Sequence, residues 1–123
     1  MPFLTGESAD CVQVDEGNDA NNRYFTTFHN TTAANRTQDA VRLIRYAASL
    51  GTEVTVYAVG SAACCAACAL ALCDGVSAAQ LENAPLNPAD DAALYRTCFI
   101  PGLGLLGGPN GCLALARCPV TRF

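Results

Sequence analysis

Cys64, Cys65, Cys68 and Cys73 fall within ten residues of one apolar segment, "GSAACCAACALALC" at 60–73, and make up half of the chain's eight cysteines. A thiol can bridge to another thiol, bind a soft metal ion, act as a nucleophile or pack as a small apolar group. Spacing decides among these uses. Cys65 and Cys68 form a C-x-x-C, the spacing of thiol redox sites, where a helix N-terminus stabilises one thiolate. Here no aromatic residue precedes the pair, no Gly-Pro lies inside it, and Cys64 and Cys73 crowd it with further thiols. Structural bridging is therefore the better expectation. A structural zinc site draws on two separated C-x-x-C pairs. One is present, and Cys112 and Cys118 are spaced too widely to supply the second, so no zinc, iron–sulfur cluster or other cofactor is expected.

The even set Cys11, Cys64, Cys65, Cys68, Cys73, Cys98, Cys112 and Cys118 reads as a disulfide framework formed in an oxidising compartment. Eight cysteines allow on the order of a hundred pairings, which leaves the connectivity open. On a helix, neighbouring Cys64 and Cys65 diverge by about 100° and must reach different partners. The segment then acts as a hub. Bridges to Cys11, Cys98, Cys112 or Cys118 would staple both ends of the chain to the core, each contributing about 2–4 kcal/mol.

The elements that must hold these thiols can be read from pattern and punctuation. A chain of 123 residues supports one domain with one core. Within it, residues 1–22 read as a polar arm, 23–98 as an α/β core and 99–123 as a Gly- and Pro-rich apolar tail tied down by cysteines. "RYFTTFHN" at 23–30 has the aromatic and β-branched composition of a strand. From Thr37 the period becomes helical, with Ala40, Val41, Ile44, Ala47 and Ala48 on one face, until Gly51 stops it. "TEVTVYAV" at 52–59 alternates as a strand, and Gly60 with Ser61 opens a helix to Cys73. Ser77 opens a short helix through "AAQLENA", and Asn87 with Pro88 opens another over 87–98. The order strand, helix, strand, helix predicts a βαβ unit with a parallel pair and a right-handed crossover. The expected class is a small α/β or α+β domain. "GLGLLGG" has no Lys and precedes a Pro, so it reads as a turning tail and not as a phosphate cradle.

From Val54 to Cys73 no charged residue occurs, a length that meets the requirement for a membrane-spanning helix. Its hydrophobicity comes mainly from Ala and Cys, and a Gly-Ser break divides it. A buried strand followed by a buried helix accounts for it better than a membrane span.

Residues 24–75, from "FTTFHNT" to "GSAACCAACALALCDG", resemble the core unit of Clp-type peptidases and crotonases, in which a G-x-A-A-S turn carries the nucleophile. That resemblance implies a βαβα fold and places Cys64 at the nucleophile's position, aimed outward at a helix N-terminus. "TTAAN" replaces the family's oxyanion glycines, and no histidine follows Cys64, although the family's general base lies downstream. If the chain were an enzyme, Cys64 and the single upstream His29 would be its catalytic residues. A cysteine-stapled α/β sandwich is also similar to some small fungal secreted effectors and killer toxins.

Composition narrows the function further. The chain is 51% hydrophobic and 15% charged with net charge −4, which argues against disorder and offers no basic surface for a nucleic acid. All seven basic residues are Arg. Asn30 in "NTT" and Asn35 in "NRT" are glycosylation sequons, consistent with secretion, while "MPFLTGESADC" carries no signal-peptide pattern. One histidine and scattered carboxylates do not converge as catalytic groups do. The expectation is a non-enzymatic, disulfide-stabilised structural or interaction protein at an extracellular, cell-surface or particle location, whose partner is itself or a larger assembly. Phe99, Ile100, Leu103, Leu105 and Leu106 crowd the tail among glycines and prolines and are expected at the contact. The competing readings are a thiol-dependent hydrolase or redox enzyme using Cys64 or Cys65/Cys68, and a small membrane subunit.

Overall fold

The computed structural model describes residues 30–86, 94 and 97–123. Helix α1 (Thr32–Ser49) is followed by strand β1 (Thr55–Val59), helix α2 (Ser61–Leu72) and strand β2 (Ala78–Glu82). A 3-10 helix (Leu103–Leu106), a short helix α3 (Gly108–Leu113) and strand β3 (Val120–Arg122) complete the order. The three strands form one parallel sheet in the order β1-β2-β3, with Thr55 opposite Ala78 and Gln80 opposite Thr121. The domain is α/β, and its βαβ unit is β1-α2-β2. The expected arm at 1–22, the strand at 23–30 and most of the helix at 87–98 lie outside the described residues, with Cys11 and His29 among them. Leu94 and Thr97 are helical.

Helix α1 starts five residues ahead of the expected Thr37. Thr31 caps it, its hydroxyl oxygen accepting the Ala34 N–H at 3.1 Å. The same hydroxyl donates to the Phe99 carbonyl, which fastens the helix start to the C-terminal segment. The charge-free run Val54–Cys73 divides as its Gly-Ser break implies. Gly60, at φ 62° and ψ −133°, turns β1 into a twelve-residue α2, far short of the roughly 20 residues that cross a bilayer. Among the described residues no helix is long and apolar enough to span a membrane.

Two expected elements differ. "SAAQLENA" has helical propensity but forms β2, because all five of its residues from Ala78 to Glu82 pair with β1 and the alternation buries Ala79 and Leu81. The tail is also more regular than its composition suggests, since Pro109 occupies the first turn of α3, where its missing N–H costs nothing. Gly111 allows α3 to fold back under the preceding turn, for a Cβ there would overlap the Leu106 carbonyl.

Helix α2 is the centre of the domain, with every residue from Ala63 to Leu70 buried. Such a helix needs no polar face, and its small side chains let three neighbours approach. Ala63, Ala66, Ala67 and Leu70 pack with Ala79 and Leu81 of β2, Leu86 and Leu113. Ala69 and Cys73 meet Ile44 of α1. The third face carries Cys64, Cys65 and Cys68.

Candidate functional site: a buried thiol cluster

Cys65 and Cys68 lie one turn apart on α2, so both thiols project from one side of it. Cys98 arrives just after the helical Thr97, and Cys112 from α3. With Leu103 and Cys64 these residues form one buried cluster, bordered by Ala33, Ala71, Leu94 and Ile100. Cys98 is within hydrogen-bonding reach of both Cys65 and Cys68, and Cys112 reaches Cys68. Cys65 also donates to the Ala33 carbonyl at 3.8 Å. The four thiols thus join α2, α3 and the segment between them at the foot of α1.

Their protonation is uneven. Hydrogen bonding from Cys98, aided by Cys112, lowers the Cys68 thiol below its ordinary value against the opposing effect of burial. Cys98 is pushed up by its hydrogen bonds to Cys65 and Cys68 and by burial. Burial, then the charge of Cys68, pushes Cys112 up to about 11. Cys68 is therefore the thiol of the cluster held below its ordinary value, with Cys98 and Cys112 hydrogen-bonding to it. Exposure of 3% at Cys65, 6% at Cys68 and 5% at Cys112 closes the group to any bulky reactant.

Each thiol singled out from the sequence can now be placed. None of the seven described cysteines is disulfide-bonded in this structure. The expected bridges from the helix are not formed among the described residues; Cys65, Cys68, Cys98 and Cys112 instead lie with Cys64 in one buried cluster. Cys64 turns to the Pro85 carbonyl at 3.4 Å, and Cys73 to the Val41 carbonyl of α1 at 3.9 Å. Cys118 packs against the sheet-side core. Cys64 and Cys65 diverge as the helical rotation requires. Among the described residues no group of three or more His, Cys, Asp or Glu side chains is arranged to hold a metal ion.

The outward aim implied for Cys64 is corrected. It is the fourth residue of α2 and 0% exposed, and burial, with the charges of Cys65 and Cys68, pushes its thiol up to about 12. A thiol so far above neutral pH carries almost no thiolate. This has a consequence for stability. Above the ordinary value of 9.0 the unfolded chain has lost the Cys64 proton while the folded chain keeps it, so the unfolding free energy falls as pH rises from about 9 to about 12. Denaturant titrations at pH 8 and pH 10.5 should show that fall, and a Cys64→Ala variant should lessen it, the raised thiols of Cys73, Cys98 and Cys112 supplying the remainder. An equal slope in the two proteins would contradict the assignment.

The tail residues divide by face. Leu103 is 4% exposed and packs on the thiols, and Phe99 and Ile100 are half-buried. Leu105 is 93% and Leu106 62% exposed. Asn30 is exposed, and Asn35 is half-buried in the opening of α1. Thr31, which the sequence reading passed over, carried a signal: a Thr three residues before the N–H it caps. An open cleft of about 460 Å³ lies at the carboxyl ends of β2 and β3, lined by Asn83, Pro85, Leu86, Arg122 and Phe123. Its Arg122 already donates to Asn110 at 3.1 Å, and no nucleophile lines it. Comparison of the chain with protein-family models, curated proteins and solved structures finds no match.

Proposed function

We propose that this chain is a non-enzymatic interaction protein of an oxidising, extracellular or surface setting, working as a subunit of an assembly of its own copies. One observation supports the reading: six of the seven described thiols are buried while large apolar side chains stand exposed. A nucleophile must meet substrate, base and oxyanion donors. Cys64 and Cys98 are at most 1% exposed and face carbonyls or other thiols. The lowered Cys68 thiol is the observation that favours redox chemistry, and the same burial keeps substrate from it.

Outward, Leu105 and Leu106 stand side by side on the 3-10 helix, and Leu115 is 61% exposed beyond α3. Leucines grouped on a surface and backed by a fixed core favour association with another protein surface. Sedimentation velocity over a rising concentration series tests the proposal. Growth of the weight-average sedimentation coefficient with concentration is expected. A monomer throughout overturns self-assembly.

A further inference from the structure

The outer edge of β1 is a surface for a further strand, and the path of α1 says which strand. Among the described residues the sheet lies to one side of β1 only, where β2 pairs with it. On that side the Val54 carbonyl accepts from Ser77 and the Gly60 N–H donates to the Glu82 carbonyl. By alternation Thr55, Tyr57 and Val59 turn their N–H and C=O groups to the outer edge. The opposite edge of the sheet is guarded, since β3 has three residues, follows Pro119 and carries Arg122. β1 has five residues without charge, proline or glycine, and its Tyr57 and Val59 are exposed. An edge of that kind takes up a partner strand.

We propose that residues 24–29 of this chain are the partner, paired in parallel with β1 on its outer edge, beside α1. Helices α1 and α2 run in the same direction, because the Ala33 carbonyl meets Cys65 near the start of α2 and the Val41 carbonyl meets Cys73 at its end. Both lie on one face of the sheet: Val56 packs with Ile44 of α1, and Val56 and Ala58 pack with the alanines of α2. As the crossover between parallel strands, α2 runs against them, and so does α1. The start of α1 therefore stands at the carboxyl ends of the strands, and a strand leading into it rises parallel to β1. The same right hand that carries the chain from β1 through α2 to β2 places that strand on the side of β1 away from β2. Asn30 and Thr31 span the turn, a short connection of the usual βα kind.

The composition of the segment fits the edge. "YFTTFH" is aromatic and β-branched, without charge or proline. Alternation sets Tyr24, Thr26 and Phe28 on one face and Phe25, Thr27 and His29 on the other. Either phase brings an aromatic ring to the α1 side of the sheet, where Leu43, Tyr46 and Leu50 form an exposed row on α1, and another to the side of Tyr57 and Val59. The competing occupant is β1 of a second copy, which would pair antiparallel about a two-fold axis. The proposal is independent of the assembly reading, which uses the leucines of the tail.

Solution NMR of the full chain, on a mixture of isotope-labelled and unlabelled copies, separates contacts within a chain from contacts between chains. Backbone cross-peaks should link 24–29 to Thr55–Val59 in the parallel pattern and within one chain, with the Tyr57 and Val59 amides slow to exchange with solvent. Thr26→Pro and Thr27→Pro each remove one N–H, and the alternation turns one of the two towards β1. That variant should speed Tyr57 exchange about tenfold or more while leaving the buried Leu70 amide of α2 unchanged. The wild-type cross-peaks need no variant to fold. Tyr57 and Val59 amides exchanging at the rate of an unfolded peptide overturn the proposal, as do antiparallel cross-peaks. Cross-peaks to β1 that arise only between chains overturn it too, and assign the edge to a second copy. A strict monomer in sedimentation removes the assembly and leaves the strand in place.

Discussion

Replacing Leu70 with Ala should lower the unfolding free energy by about 3 kcal/mol, and replacing Leu72 with Ala should change it by no more than about 0.5 kcal/mol. The two leucines are two positions apart on α2, and Leu and Ala differ little in helix propensity, so burial makes the difference. Leu70 is 1% exposed, in the core shared with Ala79, Leu81, Leu86 and Leu113, and its removal leaves a cavity that small neighbours fill poorly. Leu72 is 62% exposed. In a domain of this size the Leu70 variant should melt about 10 °C lower. Calorimetry of both variants measures the contrast, and equal losses would contradict the placement of α2 at the centre of the fold.

Leu105→Asp combined with Leu106→Asp should dissociate the assembly by about 100-fold or more in Kd while leaving a folded protomer. Both side chains lie on the surface of the protomer, so the carboxylates stay in water there. At an interface they would be buried as repelling charges. Leu103→Asp provides the opposite control. Leu103 is packed on Cys65, Cys68 and Cys112, and a charge there should unfold the tail itself. Sedimentation and far-UV circular dichroism of the two proteins separate the cases. A double variant that assembles like wild type removes these leucines from the contact, and one that unfolds contradicts their exposure.

Local pattern made part of this fold legible. The 3.6-residue period gave the body of α1, and the alternation of "TVYAV" with the Gly60 break separated β1 from α2. The helical rotation between Cys64 and Cys65 showed that they reach different neighbours. What pattern could not supply was long-range pairing. "AAQLE" is a strand because β1 and β3 flank it, a fact its own residues contradict by propensity. Similarly, Cys98 and Cys112 reach α2 only through the path the chain takes after Leu86, and no spacing encodes that path. Leu103 and Leu105 look alike in sequence, and the 3-10 turn sends one inward and the other out. The thiol cluster was thus half visible: the C-x-x-C marked its helix side, and its other half required the fold.

The central claim is that these cysteines close on one another and do no chemistry on a substrate. Counting alkylated thiols in the denatured chain, prepared without reductant from an oxidising compartment, tests it most directly. The account predicts that Cys65, Cys68, Cys98 and Cys112 stay unmodified until a reductant is added, and that all four then react. Full modification of these four before reduction, or rapid labelling of Cys68 in the native protein near neutral pH, would contradict it.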